Sequence, residues 1–480
     1  MNSFFSKFGQ KLSQNLSLKN NQMRIYLDYT SMTPVDERVI KFVSKISKEY
    51  PANPSSLYRE GVESFKQLEQ ARAKVAKHLE SHADEIVFTS GGTESNNLAI
   101  QGVLKAYRAN LQKVDKVEKG DDTNKMSVGS LSSQIRPHII SSVIEHPAVR
   151  ELLLQYQESG ECDVTFIPVG SDGIVDLKEL KKALRPETIL VSIMYVNNEI
   201  GTIQPISEIS KIVRHYKKAK LELVVEKNEK PMTYSSIYPL VHTDACQAVL
   251  FCSLRIPTLG VDMMTLDSAK FYGPRSVGAL YIKRSVIQSK SISSIQIGGS
   301  QENDLRAGTE NVAGISGFAY AMDLAIAEKD KESARLGKMR DFLVDEIKKA
   351  ESAEKIPKII FNGTYENDHY GNALRVPNNL NMCVEGMDAE YAVLRLDVRG
   401  VCVSSVTSCR SKNEDSTSYV VEALSTGVKK NDEASNNGGE DTNNSSKNCG
   451  KSSLRITLGR FTTMGDVRSL LKTLVEVIGK

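Results

Sequence analysis

Lys270 is the residue of this chain whose context best suits covalent chemistry. It ends the run Met264-Thr-Leu-Asp-Ser-Ala-Lys270, which follows an apolar stretch and precedes a Tyr-Gly-Pro turn. A lysine in that place could form an imine with a carbonyl cofactor once its ammonium has lost its proton, which burial or a nearby cation favours. Because most lysines that follow a strand are solvated surface residues, Lys270 alone does not decide the function.

Two polar motifs follow other predicted strands. The run Ser90-Gly91-Gly92-Thr93 lies between an apolar strand and a helix start, where free amide groups and the helix dipole can bind an anion. Taken alone, the motif is better explained as an N-cap and a tight turn without a ligand. Asp244 and Gln247 end another strand. Asp244 could cap the next turn or pair with a pyridinium nitrogen, and the sequence favours neither.

His146 and Asn198 follow two further predicted strands. A histidine in such a loop is often only a hydrogen-bonded residue. It also has the flat shape and the acid–base range needed to stack on a ring and to move protons. Asn198 ends its strand with an amide that could hold a phenolic oxygen or a carboxylate.

The bulk composition indicates a globular protein of two or three domains. The chain has 480 residues, of which 40% are hydrophobic and 25% charged, and its formal net charge is +3. That charge is too small and too dispersed to indicate nucleic-acid binding, and no apolar run approaches the roughly 20 residues that span a bilayer. The seven cysteines include no CxxC pair and no His/Cys metal spacing, so we predict free thiols in a reducing compartment, no disulfide framework and no metal site.

Short β-branched runs alternate with helical patterns from Arg24 onward, which predicts an α/β fold with a mostly parallel sheet and helices on both faces. One predicted helix is Glu60–Leu79, and Asp330–Lys349 is predicted to be a long charged helix near the start of a smaller C-terminal α+β domain. The predicted strands are Ile86–Thr89, His138–Val143, Thr188–Val196, Leu240–Thr243, Met263–Leu266 and Gly278–Lys283.

The predicted domains are a large one over residues 23–328 and a small one over residues 329–480. Polar, aperiodic composition predicts inserts at 112–135 and at 427–450, the second of which is predicted to be a flexible loop. A third insert is predicted at 221–236, between a helical pattern and a strand, where it could form a hairpin. Residues 1–22 carry three lysines, no acid and weak helical spacing. We interpret them as a disordered tail of a cytoplasmic protein rather than a mitochondrial targeting peptide, because they contain no arginine.

Motifs along most of the chain resemble those of the cysteine desulfurases, which are pyridoxal-phosphate enzymes of the class V, aminotransferase-like family. The resemblance covers about residues 24–425 and 451–480, apart from the inserts. The motifs, in order, are Ile25-Tyr-Leu-Asp-Tyr29, Asn53-Pro-Ser-Ser56, Thr89-Ser-Gly-Gly-Thr-Glu-Ser-Asn-Asn97, Glu145-His146, Asn197-Asn-Glu-Ile-Gly201, His242-Thr-Asp-Ala-Cys-Gln247, Lys270 with Tyr272-Gly-Pro274, Arg306-Ala-Gly-Thr-Glu-Asn311, Ser404–Cys409 and Ser453-Leu-Arg-Ile-Thr-Leu-Gly-Arg-Phe461.

The resemblance implies a type I aminotransferase-like fold and a pyridoxal 5'-phosphate cofactor. Lys270 would hold the cofactor as an internal imine and would move the substrate's Cα proton. His146 would stack on the ring and Asp244 would pair with its nitrogen. Gln247 and Asn198 would bind its phenolic oxygen.

The resemblance also assigns the phosphate and the substrate. Gly92 and Thr93 would hold the phosphate, together with Thr309 from a second subunit, which implies a homodimer. Arg455 would clamp the substrate carboxylate with a bidentate grip that a lysine cannot provide. Asn198 and the weaker candidate Asn53 would contact the same substrate.

Cys409 lies where the family carries the nucleophile that becomes a persulfide, and the neighbouring Arg410 could lower the pKa of its thiol. Cys246, Cys383 and Cys402 lie among apolar neighbours and are predicted to be core residues. Cys449, in the insert at 427–450, is predicted to be an incidental exposed thiol.

The chain departs from the family near Lys270 and around Cys409, where the insert at 427–450 also lengthens the segment between Cys409 and Arg455. Family members usually have Ser-x-His before the lysine, whereas this chain has Asp267 and Ala269. An acid beside a dianionic phosphate is unfavourable, so Ser268 is the expected hydroxyl donor instead. Val406 replaces a glycine before the reactive cysteine, which should stiffen that loop.

The leading functional prediction is conversion of L-cysteine to L-alanine with formation of a persulfide on Cys409. The sulfur would pass to an acceptor protein, either an iron–sulfur scaffold or a tRNA-thiolation enzyme. Two alternatives keep the fold. One is another class V reaction, that of a selenocysteine lyase or an aminotransferase, and the other is a catalytically degenerate scaffold.

Overall fold

The computed structural model describes residues 24–119, 136–226, 237–368, 371–405, 417–427, 449 and 452–479. The predicted tail at 1–22 and most of the three predicted inserts lie outside these residues. The described helices are α1 (Glu37–Glu49), α2 (Arg59–Leu79), α3 (Gly92–Lys119), α4 (Pro147–Glu158), α5 (Leu177–Ala183), α6 (Ile206–Glu226), α7 (Ile256–Leu259), α8 (Arg284–Gln288), α9 (Val312–Ser352), α10 (Ala389–Val398), α11 (Tyr419–Gly427) and α12 (Met464–Ile478).

A seven-stranded sheet forms the centre of the larger part of the molecule. Its strands are β2 (Ile86–Thr89), β3 (His138–Ser142), β4 (Asp163–Ile167), β5 (Thr188–Ser192), β6 (Leu240–Asp244), β7 (Met263–Asp267) and β8 (Gly278–Ile282). Their order across the sheet is β2-β8-β7-β6-β5-β3-β4. β8 runs antiparallel to both of its neighbours and the remaining pairs are parallel. The predicted mostly parallel α/β sheet is thus confirmed.

Successive residues of these strands alternate between two apolar cores. Val191 and Val241 face a core that also contains residues of α2, α6 and the first half of α9. Leu190 and Leu240 face the opposite core, which contains residues of α3 and α4. Because side chains alternate along a strand, continuous apolar runs such as Ile189–Val191 indicate a sheet that is covered on both faces.

Two smaller sheets lie towards the C-terminus. Their strands are β1 (Ile25–Tyr26), β9 (Ile359–Phe361), β10 (Asn379–Val384), β11 (Val401–Cys402), β12 (Ser404–Ser405) and β13 (Ser453–Thr457). An antiparallel sheet has the order β12-β13-β10-β9, and a parallel pair joins β1 to β11. The first residues of the described chain therefore pair with its C-terminal part.

Helix α9 connects the two parts of the molecule. It is 41 residues long. Phe318 and Met322 in its first half pack into the core of the large sheet, whereas Leu343 and Ile347 pack with β10, β13 and α12. The predicted domain boundary at residue 328 falls inside this continuous helix, and the division into two domains stays a prediction.

Two of the predicted inserts begin with regular helix. α3 continues to Lys119 and α6 continues to Glu226, so residues 112–119 and 221–226 extend helices and the interpretation of them as aperiodic loop or hairpin was wrong. Each of these segments covers only about two turns of helix, which is too short to show a helical period by itself. Residues 120–135 and 227–236 lie outside the described residues.

Candidate active site

A cavity of ≈ 240 Å³ lies at the carboxyl edge of the large sheet. β3, β5, β6 and β7 run parallel, so the residues that follow them meet at one edge, the usual place for ligands in open α/β sheets. The polar residues that line this cavity are Thr30, Ser31, Thr93, Asn96, His146, Asn198, Asp244, Cys246, Gln247, Asp267, Lys270 and Arg455, together with Gly92.

Lys270 and Gln247 are both held by the loop that follows β1. The Lys270 side chain leaves a short 3₁₀ turn after β7, and its Nζ donates to the carbonyl oxygens of Thr30 at 3.2 Å and Ser31 at 2.6 Å. The Gln247 amide also donates to Thr30 O, at 3.0 Å. These carbonyl contacts fix the direction of the lysine side chain into the cavity.

Asp244 is buried at the end of β6, with 7% of its surface exposed. Its Oδ2 accepts from Asn96 Nδ2 at 2.7 Å, and its Oδ1 accepts from the backbone N–H of Cys246 at 3.0 Å. Asn96 is itself 1% exposed, and its Oδ1 has no partner among the described residues. A buried acceptor without a partner beside a buried carboxylate is the arrangement expected of a polar ligand site.

His146 is the N-cap of α4 and has a defined tautomer. Its Nδ1 accepts from the backbone N–H of Ala148 at 3.1 Å, so the neutral ring carries its proton on Nε2. Burial lowers the pKa of His146 below its ordinary value, an effect that Asp244 opposes and the charge of Lys270 reinforces. The ring is therefore biased towards the neutral form that stacks on another ring.

Glu145, next to His146, is fully buried. Its Oε1 accepts from Ser142 Oγ at 2.5 Å and from Met194 N at 3.0 Å, whereas its Oε2 has no partner among the described residues. Burial raises the pKa of Glu145 from 4.5 to about 8, partly offset by these two hydrogen bonds. The carboxyl group consequently keeps its proton near neutral pH.

Glu145→Gln is expected to remove a pH dependence of stability. In the unfolded chain the carboxyl group ionises near its ordinary pKa of 4.5, while in the folded chain it ionises at about 8. Between these values only the unfolded state loses the proton, so the wild-type protein loses stability as pH rises. The free energy of unfolding of Glu145→Gln, measured relative to that of the wild type, should therefore rise by about 3 kcal/mol between about pH 5 and about pH 8.

Urea unfolding of both proteins across that range measures the effect. The exposed Glu208→Gln serves as the matched control and should run parallel to the wild type. Parallel curves for Glu145→Gln and the wild type would contradict the buried, protonated state of Glu145.

Arg455 reaches the cavity from the middle of β13. Its guanidinium donates to Asn198 O at 3.1 Å, to Asp28 Oδ1 at 3.0 Å and to Ser31 Oγ at 2.6 Å. The residue is 6% exposed, and its Nε has no partner among the described residues. A carboxylate that enters the cavity could satisfy this unused donor.

The start of α3 forms the other end of the cavity. The N–H of Gly92 donates to Asp267 Oδ2 at 3.2 Å, and Thr93 lines the cavity beside it. A Cβ atom on Gly92 would lie 2.7 Å from Cys246 Sγ. Gly92 is thus the residue that leaves room for the Cys246 side chain.

Gly92→Ala is expected to lower the free energy of unfolding by about 1–3 kcal/mol, because overpacking displaces neighbouring groups. In the double variant with Cys246→Ala most of this loss should be recovered, since the colliding sulfur is gone. Urea unfolding of the two single variants and the double variant gives the coupling energy. Additive losses would contradict a direct contact between the two positions.

Three of the residues predicted for the site lie away from this cavity. Ser268 is fully buried, and its Oγ has no partner among the described residues. A Cβ on Gly273 would lie 2.1 Å from that Oγ, so the hydroxyl group is directed at Gly273. Thr309 and Asn53 are exposed, and Thr309 borders a separate surface cleft with Arg306. Cys409, with Arg410 and Val406, lies outside the described residues.

The prediction that Cys449 is an exposed thiol was wrong, as was the prediction of free thiols without disulfides. Cys449 is 7% exposed and forms a disulfide with Cys383, with their Cα atoms 5.4 Å apart. Cys383 lies on β10 opposite Ser453 of β13, so pairing of these strands brings residue 449 to its side. The polar composition of 427–450 predicted an exposed segment, so this contact was missed.

The predictions for the other cysteines had mixed outcomes. Cys383 is buried as predicted, at 2% exposure. Cys402 is only partly buried, and its sulfur accepts from Arg24 at 3.3 Å, so it is not a core residue. Cys246 lines the cavity rather than the apolar core, where burial raises the pKa of its thiol well above the ordinary value.

Asn96 and Glu145 were given no role from the sequence, although both lie in motifs recognised there. Asn96 is four residues after Gly92 in α3 and so lies on the same helix face. That spacing could have placed Asn96 in the cavity. No pattern in the sequence indicates that the Glu145 side chain is buried against Ser142 and Met194.

None of the helices in the described part of the chain is long and apolar enough to cross a membrane.

Known proteins with similar sequences agree with the fold predicted from the resemblance. The chain is 38% identical over 456 residues to a protein named cysteine desulfurase IscS from Dictyoglomus turgidum, which covers 95% of each chain. It is 32% identical over 462 residues to a protein named selenocysteine lyase from Rattus norvegicus, again with 95% of each chain covered.

A solved structure named NifS-like protein superposes with a TM-score of 0.72 at 28% sequence identity. The match covers 95% of this chain and 99% of that one. The sequence also matches the aminotransferase class-V family over residues 25–121, 120–224 and 237–470. These matches confirm the predicted resemblance and fold, and the chain belongs to the aminotransferase class-V family.

Proposed function

We propose that this protein is a pyridoxal 5'-phosphate-dependent cysteine desulfurase, which converts L-cysteine to L-alanine and transfers the sulfur to Cys409. The observation that carries the proposal is the convergence of Lys270, Asp244, His146 and Arg455 on one cavity. These side chains supply an amine, a buried carboxylate, a neutral ring and a carboxylate-binding fork. Relatives named cysteine desulfurase along nearly the whole chain support the same conclusion.

The residues present fit the cofactor at its ring end. Asp244 would pair with the ring nitrogen, and its second oxygen stays anchored by Asn96. His146 would stack on the ring, and Gln247 and Asn198 would bind the phenolic oxygen. At the phosphate end, the hydroxyl of Thr93 lies at a helix start, where anions bind. The amide of Gly92 at the same helix start already donates to Asp267 and would have to release that carboxylate to hold the phosphate. The bound cofactor would supply an electron sink that weakens bonds at the substrate's Cα.

Arg455 would orient the substrate. Its planar fork can grip a carboxylate with two parallel hydrogen bonds, and its unpartnered Nε gives it a donor to spare. Asp28 and Ser31 already fix the guanidinium, so the arginine is preorganised before substrate arrives. Lys270, whose Nζ lies in the same cavity, would take the Cα proton and return it.

Cys409, in its thiolate form, would attack the substrate's sulfur and accept it. Its sulfur forms a bond to the substrate's sulfur while the substrate's C–S bond breaks. The carbon that loses sulfur gains a proton, so cysteine and a thiol become alanine and a persulfide without an external oxidant or reductant. A lowered pKa of the Cys409 thiol, which the adjacent Arg410 would favour, assists the attack.

A homodimer and a sulfur-acceptor protein complete the proposal. Thr309 is exposed and lies outside the cavity of its own chain, which suits a role at the phosphate of a second subunit. The persulfide would pass to an iron–sulfur scaffold or a tRNA-thiolation enzyme. Localisation in the cytoplasm stays a prediction.

Amino-acid products formed from L-cysteine test the proposal. Purified protein loaded with the cofactor should release alanine, and sulfide when a reductant is present. Transamination without sulfide would indicate an aminotransferase, and failure to bind the cofactor would indicate a degenerate scaffold. Because one relative is named selenocysteine lyase, L-selenocysteine should be assayed in parallel. A preference for it that survives Cys409→Ala would favour that second function.

A further inference from the structure

The phosphate end of the cavity already contains an anionic side chain. Asp267 is the last residue of β7, and its Oδ2 accepts from the N–H of Gly92 at 3.2 Å. Its Oδ1 accepts from the N–H of Ala269 at 2.9 Å. The amide of Gly92 opens α3, where the helix dipole and free N–H groups favour an anion. The carboxylate therefore occupies a place that an external anion would otherwise take.

No cation in the described part of the chain forms an ion pair with Asp267. The cations that line the cavity are Lys270 and Arg455. Lys270 Nζ donates to two carbonyl oxygens, and Arg455 is paired with Asp28. A phosphate bound to the amide of Gly92 would thus meet a carboxylate within contact distance and without a compensating charge. At such separations like charges repel each other.

We propose that Asp267 stands in for the cofactor's phosphate in the cofactor-free protein and competes with that phosphate when the cofactor binds. This inference rests on the proposed function, because it assumes that the cavity takes pyridoxal 5'-phosphate. The protein then binds its cofactor mainly through contacts to the ring and through the bond to Lys270, and it binds the phosphate group weakly. Asp267 determines how strongly the site distinguishes the phosphorylated cofactor from pyridoxal.

Paired titrations test the inference. Cofactor-free protein is titrated with pyridoxal 5'-phosphate and, separately, with pyridoxal, while the absorbance of the lysine-bound cofactor is followed. In Asp267→Asn, the Kd for pyridoxal 5'-phosphate should fall at least about tenfold, equivalent to about 1.4 kcal/mol. The Kd for pyridoxal, which has no phosphate, should change less than about threefold, a smaller change than that expected for pyridoxal 5'-phosphate.

Two further variants serve as controls for this titration. Asp267→Ala removes the carboxylate without adding an amide donor, so it separates relief of repulsion from a new hydrogen bond. Asp345→Asn removes one carboxylate on the exposed face of α9 and should leave both Kd values unchanged. An unchanged Kd for pyridoxal 5'-phosphate in both Asp267 variants would overturn the inference, as would equal tightening for pyridoxal.

Inorganic phosphate gives an independent measurement without the cofactor. A ligand that binds only the folded state raises its melting temperature. Phosphate should therefore protect cofactor-free Asp267→Asn against thermal unfolding more than it protects the wild type. Equal protection would contradict the inference. If no protein bound either form of the cofactor, the proposed function would fail, whereas the phosphate comparison would still support or refute the role of Asp267.

Discussion

Lys270→Ala should abolish the visible absorbance of the bound cofactor and lower kcat for alanine formation from L-cysteine by roughly 10³-fold or more, because it removes both the covalent attachment and the group that moves a proton. Lys270 Nζ is the only lysine amine among the described residues that line the cavity. Its contacts to Thr30 O and Ser31 O hold it in the cavity, and no other described lysine lines the cavity to replace it.

Lys283→Ala is the matched control for this variant. Lys283 follows β8 and its Nζ lies 3.3 Å from Asp262, at the edge of the sheet opposite the cavity. This change removes a lysine near the same sheet but should leave the absorbance and kcat at wild-type values. Retention of the cofactor's visible band in Lys270→Ala would show that the attachment is elsewhere.

Asp244→Asn should lower kcat/KM by roughly 10²–10³-fold, the loss typical when one preorganised electrostatic group is removed from a site. The change keeps the size of the side chain and an oxygen that can accept from Asn96 or from the N–H of Cys246. What it removes is the negative charge that would keep the cofactor's ring nitrogen protonated. The fold should therefore survive while the chemistry slows.

Asp262→Asn tests whether the loss of any buried carboxylate has the same effect. Asp262 accepts from the backbone N–H of Val241 at 3.0 Å and precedes β7, whereas Asp244 ends β6. Asp262→Asn is expected to reduce stability without a change in kcat/KM for the remaining folded enzyme. Equal kinetic losses in both variants would contradict a direct role for Asp244.

The large sheet could be predicted because its strands carry a strong local signal. Ile86–Thr89 was predicted at its observed bounds, and the other predicted strands overlap observed ones. β4 was missed, and its residues are mostly only partly buried, as is common for an edge strand. The C-terminal strands escaped prediction because several are only two or three residues long, and long-range pairing rather than local pattern defines them.

Most of the cavity could also be predicted from motifs that end strands. Parallel strands bring such residues to one edge, so His146, Asp244 and Lys270 meet although they are far apart in the sequence. The contact of Asp267 with Gly92 and the position of Cys246 could not be predicted. Both depend on which way a side chain turns after its strand ends. The same applies to the disulfide between Cys383 and Cys449.

The most direct test of the central claim is the mass of the peptide that contains Cys409 after one turnover with L-cysteine and no reductant. We predict that this peptide gains one sulfur atom, in an amount equal to the alanine formed. Cys409→Ala should lose this gain and, in a parallel assay with a reductant, the release of sulfide, whereas Cys449→Ala should retain both. Alanine and sulfide formed at undiminished rates by Cys409→Ala would contradict the role of Cys409 as the sulfur acceptor.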